Sequence, residues 1–133
     1  GCSPNFAKTM MRLGKTQQEL SVVCDQVGRP TWVFDLAPAL IDLMERDASG
    51  VLHVANQGQA SWYEVAQRLF LEARGQGQDL GDLELHETTT ERYGARASRP
   101  RYSVLDLSRC HNAYGVTLPD WRDGLTRAVE NYA

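Results

Sequence analysis

The sequence contains only two lysines, Lys8 and Lys15, among its 133 residues. A Tyr-x-x-x-Lys pair, in which the lysine lowers the pKa of a tyrosine on the same helical face, is one way to supply a proton to a reacting carbonyl group. The residues four positions before the two lysines are Pro4 and Met11. This chain therefore lacks that pair, and we expect no catalytic residue of this kind in it.

A glycine loop of the dinucleotide-binding type is also missing. The nearest pattern is Gly75-x-Gly77-x-x-x-Gly81, which follows a predicted helix and precedes a predicted strand. A dinucleotide loop needs the opposite order, because the amides at the start of a helix must meet the pyrophosphate. We interpret this segment as a flexible surface loop and expect no cofactor to bind to this chain alone.

Cysteine and histidine are too few and too scattered for a disulfide framework or a metal centre. The three cysteines form no C-x-x-C motif, and the three histidines form no H-x-x-x-H motif; these residues are Cys2, Cys24, Cys110, His53, His86 and His111. The pattern predicts no metal site, and it favours a reducing compartment, with the cytoplasm as the expected location.

Long apolar runs and excess positive charge are absent as well. No stretch of about 18 apolar residues could cross a bilayer, and no charged and apolar leader opens the chain. The formal net charge is -3 and the isoelectric point is near 5.6. A nucleic-acid backbone requires a basic face, so we expect neither a membrane nor a nucleic acid as partner.

The segments that remain alternate between helical and strand patterns, which predicts an α/β fold. Helical spacing and capping residues predict helices after Ser3-Pro4, after Asp35 with Pro38 in the first turn, after the capping box Ser61–Glu64, over 108–114, and after Pro119. A short apolar run predicts a buried strand at 20–25, and two further strands are predicted at 51–55 and near 83–87. Three strands are few for a parallel sheet, so we expect its other strands to lie outside this sequence.

Two further patterns leave alternatives open. Five of the twelve arginines fall within eighteen residues: Arg92, Arg96, Arg99, Arg101 and Arg109. A guanidinium can bind a diphosphate through two parallel hydrogen bonds, although a solvated loop with scattered ion pairs explains the same pattern. Three tryptophans stand where helices start, at Trp32, Trp62 and Trp121; they either pack as staples or offer a stacking surface to a base or sugar.

Seven segments, in register over nearly the whole chain, resemble the C-terminal part of the dTDP-4-dehydrorhamnose reductases, a family of extended short-chain dehydrogenases. They are N-F-A-K-T-M-M-R-L (5–13), L-S-V-V-C-D-Q-V-G-R-P-T (20–31), D-L-A (35–37), G-V-L-H-V-A (50–55), S-W-Y-E-V-A (61–66), A-S-R-P-R-Y-S-V-L-D (97–106) and L-P-D-W-R-D-G-L (118–125). The resemblance implies the last strands of a Rossmann-type sheet and a mostly helical substrate lobe. It implies that residues 1–133 are the C-terminal substrate-binding portion, and that the N-terminal dinucleotide-binding domain is absent from this chain.

Family members reduce dTDP-4-dehydro-L-rhamnose to dTDP-L-rhamnose with NADPH or NADH. The resemblance implies that the full-length protein binds a dTDP-sugar, uses one of these cofactors and could form a homodimer. The fragment itself is expected to be inactive, and its start at Gly1 is as compatible with truncation or processing as with a natural end. The alternatives are a non-catalytic relative that binds a sugar nucleotide or a protein, and a reductase or epimerase of another nucleotide sugar.

The resemblance also implies substrate-binding residues, carried over position by position. Asn5 matches an Asn near the diphosphate, Gly28-Arg29-Pro30-Thr31 matches a G-x-P-T turn beside the substrate, and Arg99 matches an Arg-Pro arginine. Arg99 is the first choice for a phosphate contact, ahead of Arg96 and Arg101. Arg29 departs from a position that is often small, and it either adds a phosphate contact or points into solvent.

Overall fold

The computed structural model describes residues 5–94 and 97–130 of the chain. These residues form six helices and four short strands. In chain order they are α1 (Phe6–Gly14), β1 (Glu19–Val23), β2 (Val27–Gly28), α2 (Val33–Glu45), β3 (Ala60–Ser61), α3 (Trp62–Gly75), β4 (Glu84–Thr88), α4 (Thr90–Tyr93), α5 (Ser108–Tyr114) and α6 (Trp121–Glu130).

The core lies between a parallel strand pair and three helices. β1 and β4 pair in parallel, with Glu19 opposite Glu84 and Val23 opposite Thr88. Leu20 and Val22 are buried in the apolar cluster to which α1, α3 and α6 also contribute. Leu69 of α3 and Val129 of α6 are fully buried, and each such side chain stabilises the fold by roughly 1.5–3 kcal/mol.

A second, smaller strand pair lies in the chain between β1 and α3. β2 and β3 are antiparallel, with Val27 opposite Ser61. The segment 99–105 runs alongside β2: the Val27 amide donates to the Arg101 carbonyl at 2.8 Å, and the Ser103 amide donates to the Val27 carbonyl at 2.9 Å. The turn at 28–31 and the segment at 99–105 are therefore held side by side.

Most of the predicted helices are confirmed. Ser61 and Glu64 form a full capping box at the start of α3, and helices occupy 108–114 and 121–130. α1 begins at Phe6, with Asn5 as its N-cap. The predicted cap at Ser3 and Pro4 lies outside the described residues.

The prediction for α2 was wrong in its details. The N-cap is Trp32, not Asp35, and Pro38 therefore lies in the second turn and not the first. Asp35 instead accepts hydrogen bonds from Arg127 and from Asn56, far along the chain. A carboxylate that has a distant cation and amide as partners does not need to cap its own helix.

The predicted strand at 51–55 was also wrong. The residues alternate between exposed and partly buried, as in a strand, but they join neither sheet of the described residues. The chain just beyond them is tied to the start of α6, since the Gln57 amide donates to the Pro119 carbonyl at 2.8 Å and the Trp121 amide donates to the Gln57 carbonyl at 3.0 Å. An alternating pattern gives a strand only where a neighbouring edge is available to pair with it.

The other two predicted strands are confirmed as β1 and β4, and the parallel pair with flanking helices confirms the α/β class. Within the described ranges, no helix is long and apolar enough to cross a membrane.

Candidate binding cleft

A cleft of about 690 Å³ opens between α1, the end of β1, β2 and the start of α3. Its lining is largely apolar, and the aliphatic and aromatic side chains that contribute are Phe6, Met10, Val22, Val23, Val27, Ala60, Trp62, Val65, Tyr93 and Leu105. Clefts of this size and polarity are typical of small-molecule sites.

The charged side chains that line the cleft are both arginines, Arg29 and Arg99. No Asp or Glu is among the described lining residues. An apolar pocket with positive charge and no carboxylate favours a ligand that combines an anionic group with an apolar or aromatic one.

Arg99 is the charged group that is available to a ligand. It is exposed, it lines the cleft, and its guanidinium makes no hydrogen bond or ion pair with the part of the chain that the structure describes. The segment that carries it is fixed two residues later, where the Arg101 carbonyl accepts from the Val27 amide. Arg101 itself is not part of the lining, and Arg96 lies outside the described residues.

Arg29 has a structural role that neither of the two expectations included. Its Nε donates to the Leu105 carbonyl at 2.7 Å and its Nη1 donates to the Gly58 carbonyl at 2.7 Å. The side chain therefore ties the 28–31 turn to two other segments while it adds positive charge to the cleft wall. Its contact with a substrate stays a prediction.

The other predicted site residues divide into two groups. Gly28 and Pro30 line the cleft, and a Cβ on Gly28 would come within 3.2 Å of the Ser103 hydroxyl. Asn5 and Thr31 are not among the lining residues. The Asn5 side chain accepts from the Lys8 amide at 2.9 Å and so caps α1.

The buried side chain of Asn56 stabilises the chain that directly follows the 28–31 turn. Asn56 is fully buried, and its Oδ1 accepts from the Trp32 amide at 2.9 Å. Its Nδ2 donates to Asp35 Oδ2 at 2.8 Å and to the Pro119 carbonyl at 3.0 Å. Arg127 completes the group with a 2.7 Å ion pair to Asp35. Asn56 was not predicted as a site residue, because no local sequence pattern indicates a buried amide.

At the end of β1, Asp25 is held by Thr90. The Thr90 hydroxyl donates to Asp25 Oδ1 at 2.7 Å and the Thr90 amide donates to the same oxygen at 2.9 Å. The hydroxyl hydrogen bond lowers the pKa of Asp25 below its ordinary value, and burial opposes this only in part. Gln26, which lines the cleft, donates to the Thr90 hydroxyl at 3.0 Å. The lowered pKa keeps Asp25 ionised at neutral pH, and the hydrogen bonds among Asp25, Thr90 and Gln26 hold one rim of the cleft in place.

An aromatic pair forms another part of the wall. The rings of Phe6 and Trp62 have centroids 4.7 Å apart at an interplanar angle of 45°. Trp62 was expected to be a staple or a stacking surface, and neither it nor Phe6 was among the predicted site residues.

Three side chains of metal-ligating type lie together on the exposed face of the parallel pair, and none of them lines the cleft. They are Glu19, Glu84 and His86, with candidate ligand atoms within 4.8 Å of one another. The strand register brings them together, since Glu19 is directly opposite Glu84. All three are exposed, and the expectation of no metal stays a prediction.

Comparison of the sequence with known proteins identifies the family of this chain. A model described as the RmlD substrate binding domain matches residues 2–133. The spore coat polysaccharide biosynthesis protein SpsK of Bacillus subtilis is 42% identical over 126 residues, covering 95% of this chain and 42% of the relative. The dTDP-4-dehydrorhamnose reductase of Escherichia coli K12 is 36% identical over 134 residues, covering 97% of this chain and 45% of the relative.

Solved structures agree with this assignment. The crystal structure of a dTDP-4-dehydrorhamnose reductase from Clostridium acetobutylicum has a TM-score of 0.87 at 34% identity, covering 99% of this chain and 45% of that one. A Bacillus anthracis dTDP-4-dehydrorhamnose reductase in complex with NADP has a TM-score of 0.86 at 37% identity, covering 96% of this chain and 43% of that one. This chain thus spans less than half the length of the relatives that it matches. It belongs to the RmlD substrate binding domain family.

Proposed function

We propose that the cleft binds a dTDP-sugar and that this chain is the substrate-binding part of a dTDP-4-dehydrorhamnose reductase. The observation that carries the proposal is the combination of an apolar, aromatic wall with two arginines and no carboxylate among the described lining residues. A dTDP-sugar has the matching parts, since its diphosphate is anionic while its base and deoxysugar present flat or apolar surfaces. The relatives named as dTDP-4-dehydrorhamnose reductases supply the sugar nucleotide class.

In this proposal the 133 residues form the C-terminal substrate-binding portion, and a dinucleotide-binding domain outside this chain holds NADPH or NADH. The exposed face of the β1–β4 pair supports it, because both faces of a parallel sheet are normally covered. When bound there, the cofactor would supply the hydride that reduces the sugar ketone. This chain's own residues would bind and orient the sugar nucleotide. The proposed location is the cytoplasm, which cell fractionation would test.

The test of binding is calorimetry with dTDP-L-rhamnose on the protein and two arginine variants. Arg99→Ala removes a guanidinium that has no partner among the residues that the structure describes, so we expect affinity to fall about ten- to a hundredfold, the loss of one charge-assisted contact. Arg92→Ala is the matched control, because Arg92 is an exposed arginine on α4 that does not line the cleft. Absence of binding to the unaltered protein would refute the proposal, and equal losses in both variants would remove Arg99 from the site.

The test of activity is reduction of dTDP-4-dehydrorhamnose with NADPH. We expect no turnover by the 133-residue chain and turnover by the full-length protein. The gene upstream of Gly1 offers a second check, since a glycine-rich loop and a Tyr-x-x-x-Lys pair would favour the reductase, and their absence would favour a non-catalytic binding relative. Turnover by the 133-residue chain alone would contradict the proposed division of roles.

A second candidate is a reductase of a different dTDP-ketosugar. One observation favours it: a protein named dTDP-4-keto-6-deoxy-D-glucose reductase from Streptomyces niveus is 36% identical over 124 residues and covers 93% of this chain. Turnover of the full-length protein with each of the two ketosugars separates the candidates, since the true substrate should have the higher kcat/KM.

We also infer that a second copy of the chain covers the outer face of α2. This face consists of Val33, Phe34, Ala37, Leu40, Ile41 and Met44, all of which are exposed. Phe34 is 69% exposed and Met44 is 77% exposed. A helix that is apolar on nearly all sides is normally buried. No charged side chain lies within the face, so pairing it with itself about a twofold axis would bring no like charges together.

Sedimentation of the protein tests this interface. The double change Phe34→Ser and Ile41→Ser should convert a dimer into a monomer. Leu71→Ser is the control, because Leu71 is a 61% exposed leucine on α3, outside this face. A monomer in the unaltered protein at high concentration would refute the inference.

A further inference from the structure

We propose that the indole ring of Trp62 is the stacking surface for the base of the bound nucleotide. The inference rests on the proposed function, because it takes a sugar nucleotide as the occupant of the cleft. In this inference the base of the ligand contacts Trp62, and its anionic part contacts Arg99.

The three tryptophans at helix starts have different surroundings. Trp121, at the start of α6, is buried in the core with only 4% of its surface exposed. Trp32, the N-cap of α2, has the Arg127 guanidinium over its ring at 4.5 Å. Trp62 lines the cleft and remains 45% exposed. A tryptophan that served only to pack its helix would be covered as the other two are, so the exposed part of Trp62 indicates a surface kept for a ligand.

The ring is also held in place. Trp62 is the first residue of α3 and follows directly on Ser61, whose capping box with Glu64 fixes the backbone there. The Phe6 ring contacts the indole with a centroid distance of 4.7 Å. An aromatic ring that is supported by a second ring and fixed at its backbone loses little freedom when a base stacks on it, which favours binding.

The charge of the same cleft selects the kind of ligand. Trp62 and Arg99 line one cavity of about 690 Å³, which is large enough for a nucleoside diphosphate. A base stacks on any aromatic face, and a guanidinium binds phosphate oxygens. A nucleoside diphosphate carries both groups on one molecule, joined through a single pentose, whereas inorganic pyrophosphate carries only the second.

The experiment compares thymidine diphosphate with inorganic pyrophosphate as ligands of the protein. Removing a base stack weakens binding about 5- to 100-fold, and we expect Trp62→Leu to lose that factor for thymidine diphosphate while its affinity for pyrophosphate stays unchanged. Trp62→Phe keeps an aromatic face and should lose less. Trp32→Phe is the matched control, since Trp32 does not line the cleft.

Tryptophan fluorescence supplies a readout that packing alone would not move. Thymidine diphosphate should quench the emission of the unaltered protein and of Trp32→Phe, but not that of Trp62→Phe. This second measurement decides the matter even if Trp62→Leu fails to fold.

The outcomes separate the two proposals. If the unaltered protein binds neither ligand, the proposed function fails and this inference fails with it. If it binds thymidine diphosphate, but Trp62→Leu weakens both ligands equally, or quenching persists in Trp62→Phe, the stacking role is overturned while the proposed function stands.

Discussion

The buried amide of Asn56 gives the sharpest prediction of stability. Its Nδ2 donates to Asp35 Oδ2 at 2.8 Å and to the Pro119 carbonyl at 3.0 Å, in a fully buried position. The change Asn56→Asp keeps the shape of the side chain but replaces this donor with an acceptor. If the new group were ionised, a second carboxylate would lie against Asp35 in the interior.

The size of the effect follows from two competing costs. Two unit charges at that 2.8 Å separation repel each other by about 6 kcal/mol at an effective dielectric constant of about 20. Taking up a proton at pH 7 costs less, about 4 kcal/mol for a carboxyl group with an ordinary pKa near 3.9. The protonated group can donate to Asp35 as the amide did, and Pro119 keeps its bond from the Gln57 amide. Destabilisation at pH 7 should therefore be about 4 kcal/mol.

This penalty must depend on pH. The introduced carboxyl has a higher pKa in the folded than in the unfolded protein, so the penalty is absent below its unfolded pKa. It grows by about 1.4 kcal/mol per pH unit as the pH rises, until the folded pKa is reached. At pH 4.5 the variant should be only about 1 kcal/mol less stable than the unaltered protein.

Urea unfolding followed by tryptophan fluorescence, at pH 4.5, 5.5, 6.5 and 7.5, measures the difference in free energy of unfolding. Asn112→Asp is the control, because Asn112 is exposed on α5 and the same change there should have little effect at any pH. A penalty at position 56 that is independent of pH, or no larger than that of the control, would show that the two carboxylates do not meet in a buried site.

Two other changes test local packing and local charge. Gly14→Ala would place a Cβ 2.9 Å from the Phe70 ring, so urea unfolding should show a loss of about 1 kcal/mol, whereas Gly75→Ala, with nothing within 4 Å, should be neutral or stabilising. Equal effects would contradict the tight fit. Thr90→Val removes the hydroxyl that lowers the pKa of Asp25. Since a lowered pKa gives stability above the unfolded value and loses it as pH falls, the variant should be less stable at pH 7, by an amount that shrinks toward pH 3. A difference that did not change with pH would count against the assigned role of Asp25.

Elements whose signals are local were predictable from sequence. The capping box at Ser61 and Glu64 defines the start of α3, and the apolar run of β1 identifies a strand with buried residues. The strands β2 and β3 have two residues each and carry no periodicity, so no pattern could indicate them. The segment 51–55 has the alternation of a strand but pairs with no strand in the described part of the chain, and pairing is a property of the whole fold.

The candidate site divides in the same way. Among the residues that the resemblance implied, four line the cleft: Gly28, Arg29, Pro30 and Arg99. The resemblance did not identify the supporting role of Asn56. Its hydrogen-bond partners Trp32, Asp35 and Pro119 are 24, 21 and 63 residues away in the chain. A buried amide is recognisable only when the segments around it have been brought together.

The same contacts explain how an irregular segment can present a charged group to a ligand. The turn at 28–31 and the segment at 99–105 contain almost no regular structure, yet Arg29 ties the turn to Leu105, 76 residues away, and to Gly58, 29 residues away. The backbone beside Arg99 is held by Val27 in addition. Arg99 therefore lies on a backbone that is already ordered. When an anion binds, mainly the Arg99 side chain must lose conformational freedom, so the entropic cost of binding is smaller. The arginine that departs from the family pattern thus has its clearest effect on the shape of the site.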